Sequence, residues 1–274
     1  MIRLILKILL VPVLFPSLMK LYYKVYSLAL LSILGVYSFP YKFKVHNKMD
    51  KKPKIILSSQ SSIIEWLVLM YNYQPKFLYI RKSLTNKSDY FMELSFLNII
   101  FYGIGNKFPK EGKLFDFEYF LKNSNEQVVI FPENTKTNRL GILNIRSNLM
   151  DTIYKNILED KIVVRAEIIN NNSNICNTTS FLGLGALFKL LCNFTISIDI
   201  YSQDIRNQSF KEEELEIDRS KYPQNNLFYD YMIQELLMNP INRNVVKFNS
   251  LDHEKFIKYY NKTHSSRNYV NKKY

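Results

Sequence analysis

The chain has 274 residues, with 37 Lys or Arg against 24 Asp or Glu and a formal charge of +13. Hydrophobic residues make up 47% and aromatic residues 15%, with seven Gly and nine Pro, which excludes a fibrous or disordered chain and allows one large α/β core with an appendage. The charge is lopsided: residues 1–54 hold ten Lys or Arg and one acid, Asp50, for +9, leaving +4 for all the rest. A cationic stripe for nucleic acid is therefore not expected in the body of the chain.

In chain order, the first elements are apolar. Ile8 to Met19 and Val25 to Tyr41 are uncharged, separated by Lys20 and Lys24 and punctuated by Pro12, Pro16 and Pro40. Each run is shorter than the ~20 apolar residues of a perpendicular span, so a membrane hairpin or a single tilted span is predicted. Tyr22, Tyr23, Tyr26 and Tyr37 suit the interface, and the two lysines can snorkel to it. A cleaved leader would also begin with Arg3 and Lys7 before an apolar run, but no small-residue cleavage pattern follows and the apolar character resumes after Lys24. Retention in the membrane is the expectation. Lys42, Lys44, Lys48, Lys51, Lys52 and Lys54 then read as a cytosolic flank facing anionic lipid.

Beyond Lys54 short apolar runs alternate with segments of helical period. Strands are predicted over Ile55–Ser58, Phe77–Ile80, Val128–Phe131, Ile162–Ile169 and Thr195–Tyr201. Helices are predicted over Ile63–Tyr73, Asp89–Phe101, Phe115–Leu121, Leu149–Leu158 and Leu182–Leu191, with a final one near Leu251–Tyr260. The fold class is α/β, a mixed sheet flanked by helices. Residues 1–53 form the membrane anchor and basic flank, 54–205 the α/β domain, and 206–274 a helical extension packed on it. Cys176 and Cys192 have neither CxxC nor metal-ligand spacing and read as buried thiols, so no metal site is expected. Trp66, at helical spacing among apolar neighbours, reads as core.

Two loops at strand ends carry the polar chemistry. After Ser58 the chain runs Ser59-Gln60-Ser61-Ser62-Ile63-Ile64-Glu65, in which a serine can cap the next helix and Glu65 falls in its first turn, where the dipole favours a carboxylate. After Phe131 it runs Pro132-Glu133-Asn134-Thr135-Lys136-Thr137-Asn138-Arg139, setting an acid, two hydroxyls and two cations in one short stretch.

These loops, in this order, resemble the two motif blocks of the glycerophospholipid acyltransferase family that includes the lysophosphatidic acid acyltransferases. Its first block is Asn-His-x-Ser-x-x-Asp, and Ser59, Gln60, Ser62 and Glu65 stand at the matching places. Its second is Phe-Pro-Glu-Gly-Thr-Arg-Ser, matched by Phe131, Pro132, Glu133, Asn134, Thr135, Lys136 and Thr137. Arg81-Lys82-Ser83-Leu84, followed by Lys107 and Lys110, is similar to the family's acceptor-phosphate region. The degenerate first block is most similar to a divergent fungal branch of lysophosphatidic acid acyltransferases.

The resemblance implies an O-acyltransferase that moves an acyl chain from acyl-CoA, its co-substrate, to a lysophospholipid such as lysophosphatidic acid, with no other cofactor. Its partners would be membrane lipids, acyl-CoA and the lysophospholipid, with no nucleic acid, and its α/β domain would face the cytosol at an endoplasmic reticulum or lipid-droplet membrane. Gln60 and Glu65 take the catalytic positions; Ser62, Glu133, Asn134, Thr135, Lys136 and Arg139 would bind substrate. Gln60 departs from the family, because an amide offers hydrogen bonds but no titratable site where the family has a proton-accepting His. His46, His253 and His264 all lie outside the two loops. The alternative is therefore a catalytically degenerate protein that keeps the acyltransferase fold as a membrane lipid-binding or scaffold protein.

Overall fold

Four parallel strands form the centre of an eight-stranded sheet, and their sequences show why they sit there. The computed structural model describes residues 16–45, 52–60, 62–82, 89–96, 98–99, 113–133, 141–143, 148–171, 196–205, 244–246 and 255. Its elements are α1 (Pro16–Ile33), β1 (Tyr41–Val45), β2 (Ile55–Ser58), α2 (Ile63–Tyr73), β3 (Lys76–Lys82), β4 (Asp89–Leu94), β5 (Lys113–Leu114), α3 (Phe117–Asn123), β6 (Val128–Ile130), β7 (Gly141–Leu143), α4 (Asn148–Leu158), β8 (Val164–Asn171), β9 (Ile198–Ile205) and β10 (Asn244–Val246). The sheet order is β1-β9-β8-β2-β6-β3-β4-β5, and β7 and β10 form a separate parallel pair. β8, β2, β6 and β3 run parallel, while β9 and β4 turn back against them. Ile55, Ile56, Leu57, Val128, Val129 and Ile130 are fully buried, as unbroken apolar runs must be in a parallel sheet covered on both faces.

Two apolar layers enclose the sheet. On one face α3 and α4 pack through Phe117, Phe120, Met150, Ile153 and Ile157 onto Ile55, Leu57 and Val128. On the other, α2 and α1 pack onto Ile56, Phe77 and Val129, with Leu31, Leu34 and Val36 from the amino-terminal segment inside that core. α1 ends as Gly35 turns at φ 79, and the chain enters the sheet as β1, parallel to β9.

The mixed α/β sheet and the predicted strands are present. The helix predicted over Asp89–Phe101 is present only toward its end, where Phe96, Asn98 and Ile99 are helical; Asp89–Leu94 is instead strand β4, antiparallel to β3 with Ile80 opposite Phe91. Phe91 packs on one face and Met92 and Leu94 on the other, so pairing with β3 decides what local periodicity left ambiguous. The membrane hairpin or single span expected over 8–41 finds no support, because no helix among the described residues is long and apolar enough to cross a membrane. Within it, α1 lies along α2 as part of the α/β fold. The Leu182–Leu191 and Leu251–Tyr260 helices, both cysteines and, apart from β10 and Lys255, the carboxy-terminal extension lie outside the described residues.

Candidate functional site

The first loop is built by a helix cap. β2 ends at Ser58, the chain turns through Ser59 and Gln60, and Ser62 takes the N-cap of α2 with φ −145° and ψ −179°. Its Oγ accepts from the Ile64 N–H at 3.2 Å and donates to Glu65 Oε2 at 2.7 Å. The Ser62 N–H also donates to Glu65 Oε2, at 2.7 Å. This reciprocal capping box satisfies donors that a helix start otherwise leaves bare, and it sets the Glu65 carboxylate beside the positive end of the helix dipole. The cap thus occupies one oxygen of Glu65 and the Ser62 hydroxyl. Gln60 and Glu65 are each only 1% exposed.

The second loop follows the adjacent parallel strand. Leu57 of β2 is level with Ile130 of β6, and Gln60 and Glu133, each three residues beyond that pair in sequence, are both buried. Phe131, the residue after β6, packs against Trp66 at 4.5 Å between centroids, and Trp66 against Phe77 at 4.7 Å. Trp66 is therefore core, clamping α2 to the ends of the strands. α2, which follows β2, and α4, which follows β6 and β7 in the chain, pack on opposite faces of the sheet. Ligand sites in α/β sheets gather at the carboxyl ends of the strands, in the loops that lead away from them. Asn134, Thr135, Lys136 and Arg139 lie outside the described residues, as do Ser61, Ser83, Leu84, Lys107, Lys110 and the three histidines.

Sequence reasoning missed a row of buried polar residues beside this site. Ser58, Glu167 and Ser202 are aligned across β2, β8 and β9, and all are buried. The Tyr73 hydroxyl, at the end of α2, donates to Glu167 Oε2. One turn of the pleat away, Arg165 Nε donates to Asp204 Oδ1 at 2.7 Å and Nη2 to Oδ2 at 3.4 Å, while Nη1 reaches the Tyr73 hydroxyl at 3.5 Å. Burial alone would lower the Arg165 pKa, but the bonds to Asp204 and Tyr73 outweigh it and hold it above its ordinary value. The signal was the alternation of Arg165 and Glu167 within the apolar part of the strand, Val164 to Ile169, since inward charges in a core strand must meet partners. Among the described residues no three His, Cys, Asp or Glu side chains are grouped to hold a metal ion.

The class these features define is a mixed α/β domain with buried acid, amide and hydroxyl groups at the carboxyl ends of two adjacent parallel strands. No family model matches the chain, and searches of curated proteins and of solved structures found no match either.

Proposed function

We propose that this chain is an O-acyltransferase that moves an acyl chain from acyl-CoA to a lysophospholipid such as lysophosphatidic acid, attached to a cytosolic membrane face through residues 1–53. The observation that supports it is that the two motif-like loops, about 70 residues apart in sequence, follow neighbouring parallel strands, β2 and β6, paired up to Leu57 and Ile130. In the reaction the acceptor hydroxyl oxygen attacks the thioester carbonyl, the new C–O bond forms as the C–S bond breaks, and the hydroxyl proton ends on the CoA thiol. Gln60 can donate or accept a hydrogen bond but not carry that proton. A thioester is already activated, so rate would come from holding donor and acceptor together and from hydrogen bonds to the oxyanion. Glu65 or Glu133 would receive the proton.

A second reading is favoured by one observation. Gln60, Glu65 and Glu133 are all nearly inaccessible, and Glu65 is engaged by the cap of α2, which suits a protein that retains the fold to bind lipid without turning it over. Acyl transfer from labelled oleoyl-CoA to lysophosphatidic acid, by membranes carrying the protein, separates the two. Activity above empty membranes that Glu133→Gln abolishes, at equal protein level, is expected for the enzyme; activity equal to the control across several acceptors leaves the lipid-binding reading.

A further inference from the structure

α1 has two different apolar faces. Its inner face packs on α2 and the sheet, with Leu31 fully buried. Its outer face carries Leu21, Val25 and Leu28, spaced i, i+4, i+7 and exposed by 59%, 59% and 42%. Such spacing lines them up along one side of a helix. Ile33, the last residue of the helix, and Tyr37 beyond it are also exposed, by 63% and 70%. On a face turned to water this stripe is out of place, because soluble helices set polar residues opposite their packed side.

We infer that this outer face docks flat on an anionic lipid bilayer, with α1 parallel to the membrane plane. Charge selects the occupant. The segment that carries the stripe has ten Lys or Arg against one acid, Asp50, for a net +9, and Lys24, whose ammonium lies 5.2 Å from the Tyr71 ring centroid, is exposed beside the stripe. A second copy docking here would set two such segments against each other, whereas anionic headgroups neutralise them. Tyr22 and Tyr26 stack on the helix at 5.7 Å and are part-exposed, as suits residues that sit at headgroup level. Orientation follows from packing: a helix whose inner side is cemented to α2 cannot be surrounded by lipid, and its 18 residues, about 27 Å long, fall short of the ~30 Å hydrocarbon core. This is an interfacial helix. The inference rests on the membrane attachment proposed above but not on acyl transfer.

The test uses the full chain and vesicles of phosphatidylcholine with 30% phosphatidylserine, or of phosphatidylcholine alone. Combined Leu21→Asp, Val25→Asp and Leu28→Asp changes, at exposed positions outside both cores, are expected to lower vesicle partitioning at least about tenfold while leaving the unfolding transition cooperative. Orientation is read with Leu21→Trp and Leu28→Trp variants and brominated lipids, the buried Trp66 giving an unquenched background. In-plane docking predicts quenching of both by bromines at the same shallow depth. Depths differing by about 10 Å, the rise between these positions, would mean an upright helix and overturn the inference. So would blue-shifted emission from these tryptophans without vesicles, which would show the face covered by protein. Binding undiminished by the three aspartates overturns the docking face but keeps attachment; no binding to either vesicle overturns both, and neither outcome touches the acyl-transfer assay.

Discussion

Removing the Glu65 carboxylate should loosen the start of α2 by an amount the geometry sets. Glu65 is 1% exposed and its Oε2 accepts two bonds of 2.7 Å from Ser62. Hydrogen bonds to a charged group contribute about 1.5–3 kcal/mol each. Because both converge on one oxygen their sum is less than additive, and we expect Glu65→Ala to cost about 3–4 kcal/mol. Glu65→Gln keeps an acceptor at the same place but loses the charge that roughly doubles such bonds, and should cost about 1–2 kcal/mol. Urea unfolding followed by the emission of Trp66, the only tryptophan and the next residue in the chain, reports on this spot. Adding Ser62→Ala closes a double-mutant cycle, with an expected coupling of about 1–2 kcal/mol. A Glu65→Ala protein within about 0.5 kcal/mol of the parent would refute the cap as the reason for this buried carboxylate.

Three further outcomes are expected. Asp204→Ala leaves the Arg165 guanidinium buried without its carboxylate and should destabilise by about 3–5 kcal/mol in the same urea assay; a loss under 1 kcal/mol would mean that water takes the place of Asp204. Asp151, in the first turn of α4, has its pKa raised by burial. A folded pKa above the unfolded one penalises the ionised form, a cost that grows as pH rises through the unfolded value and is constant above the folded one; Asp151→Asn should therefore raise the melting temperature at pH 7 and lose that advantage near pH 4. Asp160, just past α4, holds φ 52, and Asp160→Gly should raise stability by roughly 0.5 kcal/mol in thermal unfolding, a decrease speaking against left-handed strain there.

What could be read from the sequence was set by local signals. β2, β6 and α2 were legible because apolar runs bounded by a serine cap carry their own evidence, and α2 spans the predicted Ile63–Tyr73. β4 was misread because Tyr90, Phe91, Met92 and Leu94 fit either period, and only the hydrogen bonds to β3 choose between them. β1 was read as a basic flank, since Tyr-Lys-Phe-Lys-Val gives no hint of a partner that lies at Ile200 to Gln203. Within the site, Glu65 and Ser62 were legible as a cap, and Gln60 and Glu133 as loop residues. That the strands before them are neighbours was not, because it depends on the pairing of β2 with β6. The Tyr73, Glu167, Arg165 and Asp204 network was hidden for the same reason: its members belong to three elements.

The pairing of β1 with β9 also imposes an order in time. β1 ends at Val45 and its partner begins at Ile198, so during synthesis the first strand of the sheet has nothing to pair with until most of the chain exists. At ~5–20 residues per second that interval lasts on the order of ten seconds. For its duration α1 and its apolar stripe are outside the ribosome while that edge of the sheet is missing. Whatever meets the amino-terminal segment in that window meets it before β9 can pair with β1, when only packing such as that on α2 is available to hold α1.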